Sequence, residues 1–243
     1  MSLQDMPRQH AREHQNTARQ QARDPAGAVD RTRRLADLIE EEIVLGWLQP
    51  RERLVEEDLA ARFEVKRHIV REAIFELERI GLVERIPHKG AVVRMLQATE
   101  VAQIYSVREV IEGLAAEQIP LPADPALLAA LSEIQARHSA AVAAGDPRAA
   151  FRANMHFHET LFGGCGNPYL AEAIRGFAQK VHAARSFTAA DPEYLARSRE
   201  EHQAMIEALR NGDRAALVDL CRSHLGPSRD AYLDVIRRRQ QRR

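Results

Sequence analysis

Residues 54–93, LVEEDLAARFEVKRHIVREAIFELERIGLVERIPHKGAVV, constrain the fold more than any other part of this chain. A short amphipathic run over 56–63 puts Leu59, Ala60 and Phe63 on one side. After a turn, a longer run over 67–80 places Val70, Ile74 and Leu77 on one helical stripe and stops at Gly81. Two brief strand-like segments, 82–85 and 91–94, then flank a tip at 87–90, where Gly90 is free to take a positive φ. Helix, turn, helix and hairpin in that order predict a winged helix-turn-helix. The second helix carries Lys66, Arg67, His68 and Arg71 on a face that its apolar residues do not use. Apolar residues on one side and cations on the other suit a helix for the DNA major groove. Arg67 is placed to read guanine in bidentate fashion, and Arg71 lies one turn further on, within reach of a base or a phosphate. Lys66 and His68 flank them, while His88, Lys89 and Gly90 at the wing tip are placed for backbone or minor groove. The alternative is a solvated helix whose cations pair with nearby acids such as Glu72, Glu76 and Glu78.

The formal net charge is +0, so a nucleic-acid reading rests on local charge placement and not on a basic domain. No apolar run approaches a membrane span, and the N-terminus has no apolar segment of the kind a secretory signal needs. Two cysteines make no disulfide framework, which suits a reducing, cytoplasmic setting. Residues 1–28 show no apolar periodicity and read as a disordered tail. A first helix over 30–45, with Leu35, Leu38, Ile39 and Ile43 on one stripe, opens a DNA-binding domain spanning 29–95. From 96 to 240 the pattern is helical throughout. Six runs, at 98–118, 125–144, 147–163, 168–187, 192–211 and 213–239, are separated by breaks rich in Gly, Pro, Asn and Asp. The chain is therefore mainly α, with a winged helix-turn-helix followed by an all-α bundle.

The bundle carries a second signal. Asn154 and His158 are four residues apart and share a helix face, and His202 and His224 lie on two later helices. Three imidazoles and one amide oxygen converging in a bundle core can bind a divalent cation, zinc or nickel before others. Spacing alone leaves the simpler reading open, in which each histidine is a surface or hydrogen-bonded core residue. His156, two residues from His158, points to another side of the helix and serves as a control.

The segment LQPRERLVEEDLAARFEVKRHIVREAIFELERIGLV resembles the DNA-binding domain of GntR-type bacterial transcription regulators. Of that family's pattern the chain keeps Leu54, Glu56, Leu59, Ala60, Val65, Arg67, Val70, Arg71, Glu72 and Ala73. It departs at Arg51, where Gly is usual, at Lys66, where Ser is usual, and at Ile69, where Pro is usual. Lys66 thereby loses the N-cap oxygen of its helix. The run Asn154, His158, Gly166–Asn167, His202, Gly212–Asp213 and His224 is similar to the FCD ligand domain of the family's FadR-like branch, as is the segment VREVIEGLAAE at 107–117. The resemblance implies a metal site at Asn154, His158, His202 and His224, with Asn154 standing where the family has a metal-binding Asp. It also implies that Arg108 faces the ligand cavity and holds a small carboxylate effector, against the alternative of an ion pair with Glu109 or Glu112. Six helices in this domain suggest the VanR-like subgroup.

The expected protein is thus a regulator, in the usual case a repressor, that binds double-stranded operator DNA as a homodimer under the control of a small organic acid. Two rivals are a metal-dependent hydrolase and a DNA-binding architectural protein with a purely structural bundle. The hydrolase predicts turnover, and the architectural protein predicts no ligand response.

Overall fold

The computed structural model describes residues 25–241. Helix α1 (Pro25–Val44) starts earlier than the sequence pattern suggested, so residues 25–28 are helical and not part of a tail. The rest of the tail, 1–24, lies outside the described residues. Helices α2 (Glu56–Arg62) and α3 (Arg67–Arg79) follow, then strands β1 (Val83–Ile86) and β2 (Gly90–Val93). The strands pair antiparallel from Val83↔Val93 to Ile86↔Gly90, and Arg53 adds an isolated bridge to Val92. This is the winged helix. Ile39 and Ile43 of α1 pack against Val70, Ile74 and Leu77 of α3 and against Leu82.

Two departures from the family pattern have structural consequences. Arg51 sits at φ +72° and donates its N–H to the carbonyl of Val93 at 2.8 Å, so a side-chain-bearing residue occupies left-handed backbone where Gly would be unstrained. Lys66 is the N-cap of α3 in extended conformation and gives no side-chain cap bond.

The second domain runs α4 (Ala98–Gln118), α5 (Pro125–Ala143), α6 (Pro147–Gly163), α7 (Pro168–Lys180), α8 (His182–Arg185), α9 (Pro192–Asn211), α10 (Arg214–Ser223) and α11 (Gly226–Gln241). The breaks read from sequence are helix caps. Asp124, Asp146, Asn167 and Asp191 each accept a backbone N–H at the start of a helix whose first residue is Pro, and Asp213 caps α10.

Two of the six predicted runs are interrupted. The run 213–239 breaks after His224, where Pro227 has no N–H to continue the ladder. The run 168–187 breaks at Val181 with no Gly or Pro at that point. Tertiary packing decides it. Val181 and Ala184 face a cluster with Tyr105 and Tyr232, whereas Ala183 enters the winged-helix core.

The domains dock through α1. Val44 packs with Phe151 and Ala189, and the Glu41 carboxylate accepts from Arg152 at 2.5 and 2.9 Å. His182 Nδ1 donates to Glu40 at 2.5 Å.

Candidate metal centre and nucleic-acid interface

Three helices deliver the predicted imidazoles to one place. His158 comes from α6, His202 from α9 and His224 from the residue ending α10. His158 Nε2 lies 3.2 Å from His224 Nε2 and 3.3 Å from His202 Nε2, and one ligand atom from each of the three lies within 4.8 Å of the others. Two rings are held at their far nitrogens. His224 Nδ1 donates to Glu201 Oε2 at 2.5 Å, and His202 Nδ1 donates to Gln135 Oε1 at 3.2 Å. A carboxylate or amide oxygen only accepts, so each Nδ1 carries the proton and each Nε2 lone pair turns inward. Beneath them, the Phe157 ring stacks on His202 with centroids 4.1 Å apart. Burial holds His158 and His202 well below the ordinary imidazole range, so both are neutral, the state in which imidazole binds metal. The donor set therefore fits a divalent cation with nitrogen preference. His158 Nδ1 is left without a partner.

Asn154 is buried one turn before His158 on α6. Its Oδ1 accepts from Ser198 Oγ at 3.5 Å, and its Nδ2 has no partner. Turning the amide over keeps a bond to Ser198 and points the oxygen where the orphaned nitrogen now lies. The control behaves differently from the three ligand candidates: His156 is exposed, with Nδ1 3.3 Å from Arg137 Nη2.

Arg108 is buried, and its Nε donates to Glu112 at 2.8 Å, so the ion-pair alternative for this residue is realised. Burial raises the Glu112 carboxyl above its ordinary range, and the guanidinium of Arg108 opposes that shift. The guanidinium also lies over the Tyr105 ring at 5.1 Å.

Four residues around this centre escaped sequence reasoning. Glu201 immediately precedes His202, and neighbours on a helix do not share a face, so it had no visible link to the histidines. It meets His224 only because α10 brings that residue across. Gln135 and His138 are three apart on α5, the only trace of a shared face. His138 is fully buried with both ring nitrogens unpartnered, 5.1 Å from His202 between ring centroids, and burial pushes it down to about 4. Arg185 on α8 is also buried.

On the winged helix, Lys66, Arg67, His68, Arg71, His88, Lys89 and Gly90 are all exposed. Arg71 is clasped by Glu56 through Nε at 3.2 Å and Nη2 at 2.9 Å, and Arg67 pairs with Glu57. The acids that hold these arginines come from α2, not from α3 itself. Phe75, one turn beyond Arg71, is 56% exposed and was not singled out by pattern, since an exposed aromatic breaks no period. His68 lines a cleft of about 1160 Å³ between the domains with Asp37, Glu72, Arg152 and Lys180, which turns it toward the bundle.

Residues 31–93 match the family described as bacterial regulatory proteins, gntR family, and residues 103–226 match the FCD domain. The chain belongs to the GntR family. An uncharacterized HTH-type transcriptional regulator of Bacillus subtilis, YdhC, is 28% identical over 70% of this chain and 77% of its own length. The gluconate operon transcriptional repressor of the same organism is 26% identical over 79% and 81% respectively. Among solved structures, E. coli McbR/YncC superposes with a TM-score of 0.69 at 20% identity, covering 86% of this chain and 98% of that one, a likeness of fold. This GntR protein is a DNA-binding transcriptional regulator with a ligand-binding domain of FCD type, and its relatives are regulators and not enzymes. No helix of the described residues is long and apolar enough to cross a membrane.

Proposed function

We propose that this regulator is a repressor that binds its operator as a homodimer and responds to a small organic acid beside a divalent cation, zinc or nickel. The observation that carries the reading is the inward turn of three Nε2 atoms, with two of the rings braced from behind by Glu201 and Gln135. His158, His202 and His224 would hold the cation, with the Asn154 oxygen as a neutral fourth donor. A cation there supplies positive charge for an anionic ligand. Arg108, whose bond to Glu112 uses Nε, keeps its terminal nitrogens for a carboxylate. Repression has its support in the named gluconate operon repressor among the relatives.

Arg67, Arg71 and Lys66 would meet the major groove with His68 at its edge, and His88, Lys89 and Gly90 would meet the backbone or the minor groove. A single recognition helix reads one half-site, so a palindromic operator requires two copies. An apolar stripe on α4 suits that pairing: Val107, Val110 and Leu114 are spaced three and four residues apart, and Val110 is 64% exposed. Val110→Glu should convert a dimer to a monomer in sedimentation, and an unchanged dimer would place the interface elsewhere. Two buried free thiols, Cys165 and Cys221, suit a reducing cytoplasm. With the breaks at Val181 and His224 the helix count no longer argues for a VanR-like subgroup, and the proposal stays with the FCD branch.

The deciding experiment is calorimetry of metal-stripped protein with zinc and nickel, for the natural chain and for His202→Ala. Binding at one site per chain that His202→Ala abolishes supports the centre. Equal binding by both proteins rejects it. Asn154→Asp should tighten binding, and unchanged affinity removes Asn154 from the ligand set.

A further inference from the structure

Two guanidinium groups are buried in the bundle, those of Arg108 and Arg185. Arg108 and Glu112 satisfy each other. Arg185, buried on α8 at 9% exposure, makes no ion pair among the described residues. Its Nε has no partner, its Nη1 reaches only the Met155 sulfur at 3.7 Å, and its guanidinium stands 5.8 Å from the Phe151 ring centroid. A thioether is a weak acceptor and an aromatic face a modest one. A buried cation so poorly compensated is costly unless an anion completes it.

Other buried groups point the same way. Asn154 Nδ2 is a second orphaned donor buried in the bundle, and both ring nitrogens of His138 are orphaned as well. A divalent cation on the histidines would add to the positive excess.

We propose that Arg185 is the anchor for the carboxylate of the effector and that α8 carries its occupancy to the DNA-binding domain. The inference rests on the organic-acid reading above and assigns the leading role to a residue outside the family pattern given for the FCD domain. A guanidinium fork takes a carboxylate through two parallel N–H donors, and the charge of Arg108 is already matched by Glu112 whereas that of Arg185 is not. The transmission follows from what α8 touches. Within one turn, His182 donates to Glu40 of α1, Ala183 enters the winged-helix core, and Val181 and Ala184 pack with Tyr105 and Tyr232. An anion that pulls Arg185 moves a segment with no slack between the two domains.

The test uses full-length zinc-loaded protein, the variants Arg185→Met and Arg185→Lys, and millimolar gluconate or citrate as probes. An acid that binds the folded natural chain at a hundredfold excess over Kd should raise its midpoint by about 5–10 °C. Arg185→Met should lose that shift and keep its zinc affinity, Arg185→Lys should retain part of it, and acid should slow amide exchange in α8 and α1 of the natural chain alone. In acid-free, low-salt buffer Arg185→Met should melt at or above the natural chain, because an uncompensated charge has been removed. An undiminished acid shift in Arg185→Met overturns the proposal, as does protection confined to helices other than α8 and α1. If neither acid shifts the natural chain, the organic-acid reading fails for these probes. The acid-free comparison then decides alone: a lower midpoint for Arg185→Met marks a structural arginine and overturns the inference, and a higher one supports an anion site of other chemistry.

Discussion

Two sets of arginines face opposite situations in this protein. Arg67 and Arg71 on α3 are exposed and paired with Glu57 and Glu56. Arg108 and Arg185 lie inside the bundle, one paired with Glu112 and the other without a carboxylate. Outside, water stands ready to replace either partner, so exchanging a glutamate for a DNA phosphate costs little and each arginine is held near its working position until then. Inside, no water compensates a lost partner. The same ion pair is therefore an exchangeable clasp on the recognition helix and a fixed fitting in the bundle. One surface is built to swap partners and the other to hold a charge in place.

The largest expected effect is on the inner side. Glu112→Gln strands Arg108 and should destabilise the protein by about 3–5 kcal/mol, roughly 10 °C in thermal unfolding. A midpoint near that of the natural chain would mean that the interior is wetter than the geometry implies. Next comes the outer face. Arg71→Ala should weaken operator binding roughly five- to hundredfold by fluorescence anisotropy and leave the thermal midpoint almost unmoved. Loss of stability without loss of affinity would reverse the roles assigned to the two sets. A smaller effect tests the backbone beneath the DNA-binding face. Arg51→Gly should stabilise by about 1 kcal/mol in urea unfolding, since Gly takes φ +72° without the penalty a Cβ brings. Destabilisation instead would show that the Arg51 side chain matters more than its backbone. Smallest of all, Glu56→Gln should leave the midpoint within about 3 °C of the natural chain. A fall as deep as that of Glu112→Gln would erase the distinction between the two surfaces.

The sequence by itself determined the winged helix and most of the bundle. Apolar periodicity placed α1 to α7 and α9 to within a few residues at most boundaries, and ran α8 on from α7 and α11 on from α10, because burying one stripe is a local property of spacing. Asp-Pro and Asn-Pro pairs marked helix starts for the same reason, since a cap needs only its own turn. The break before Pro227 was not read from the sequence, although the missing N–H of Pro227 is a local signal of the same kind. Asn154, His158, His202 and His224 were legible as ligand candidates through family resemblance, while spacing alone left them ambiguous. Tertiary structure decided the rest. It brought Glu201 and Gln135 behind two of the imidazoles, gave Arg108 to Glu112, set Glu56 on Arg71, broke the helix at Val181, and left Arg185 inside without a carboxylate. Each of these depends on which residues from distant segments meet, and on how much water the fold leaves around a charge. Spacing along a chain encodes which face a side chain takes, whereas the partner waiting on that face and the solvent around it are set only when the helices pack.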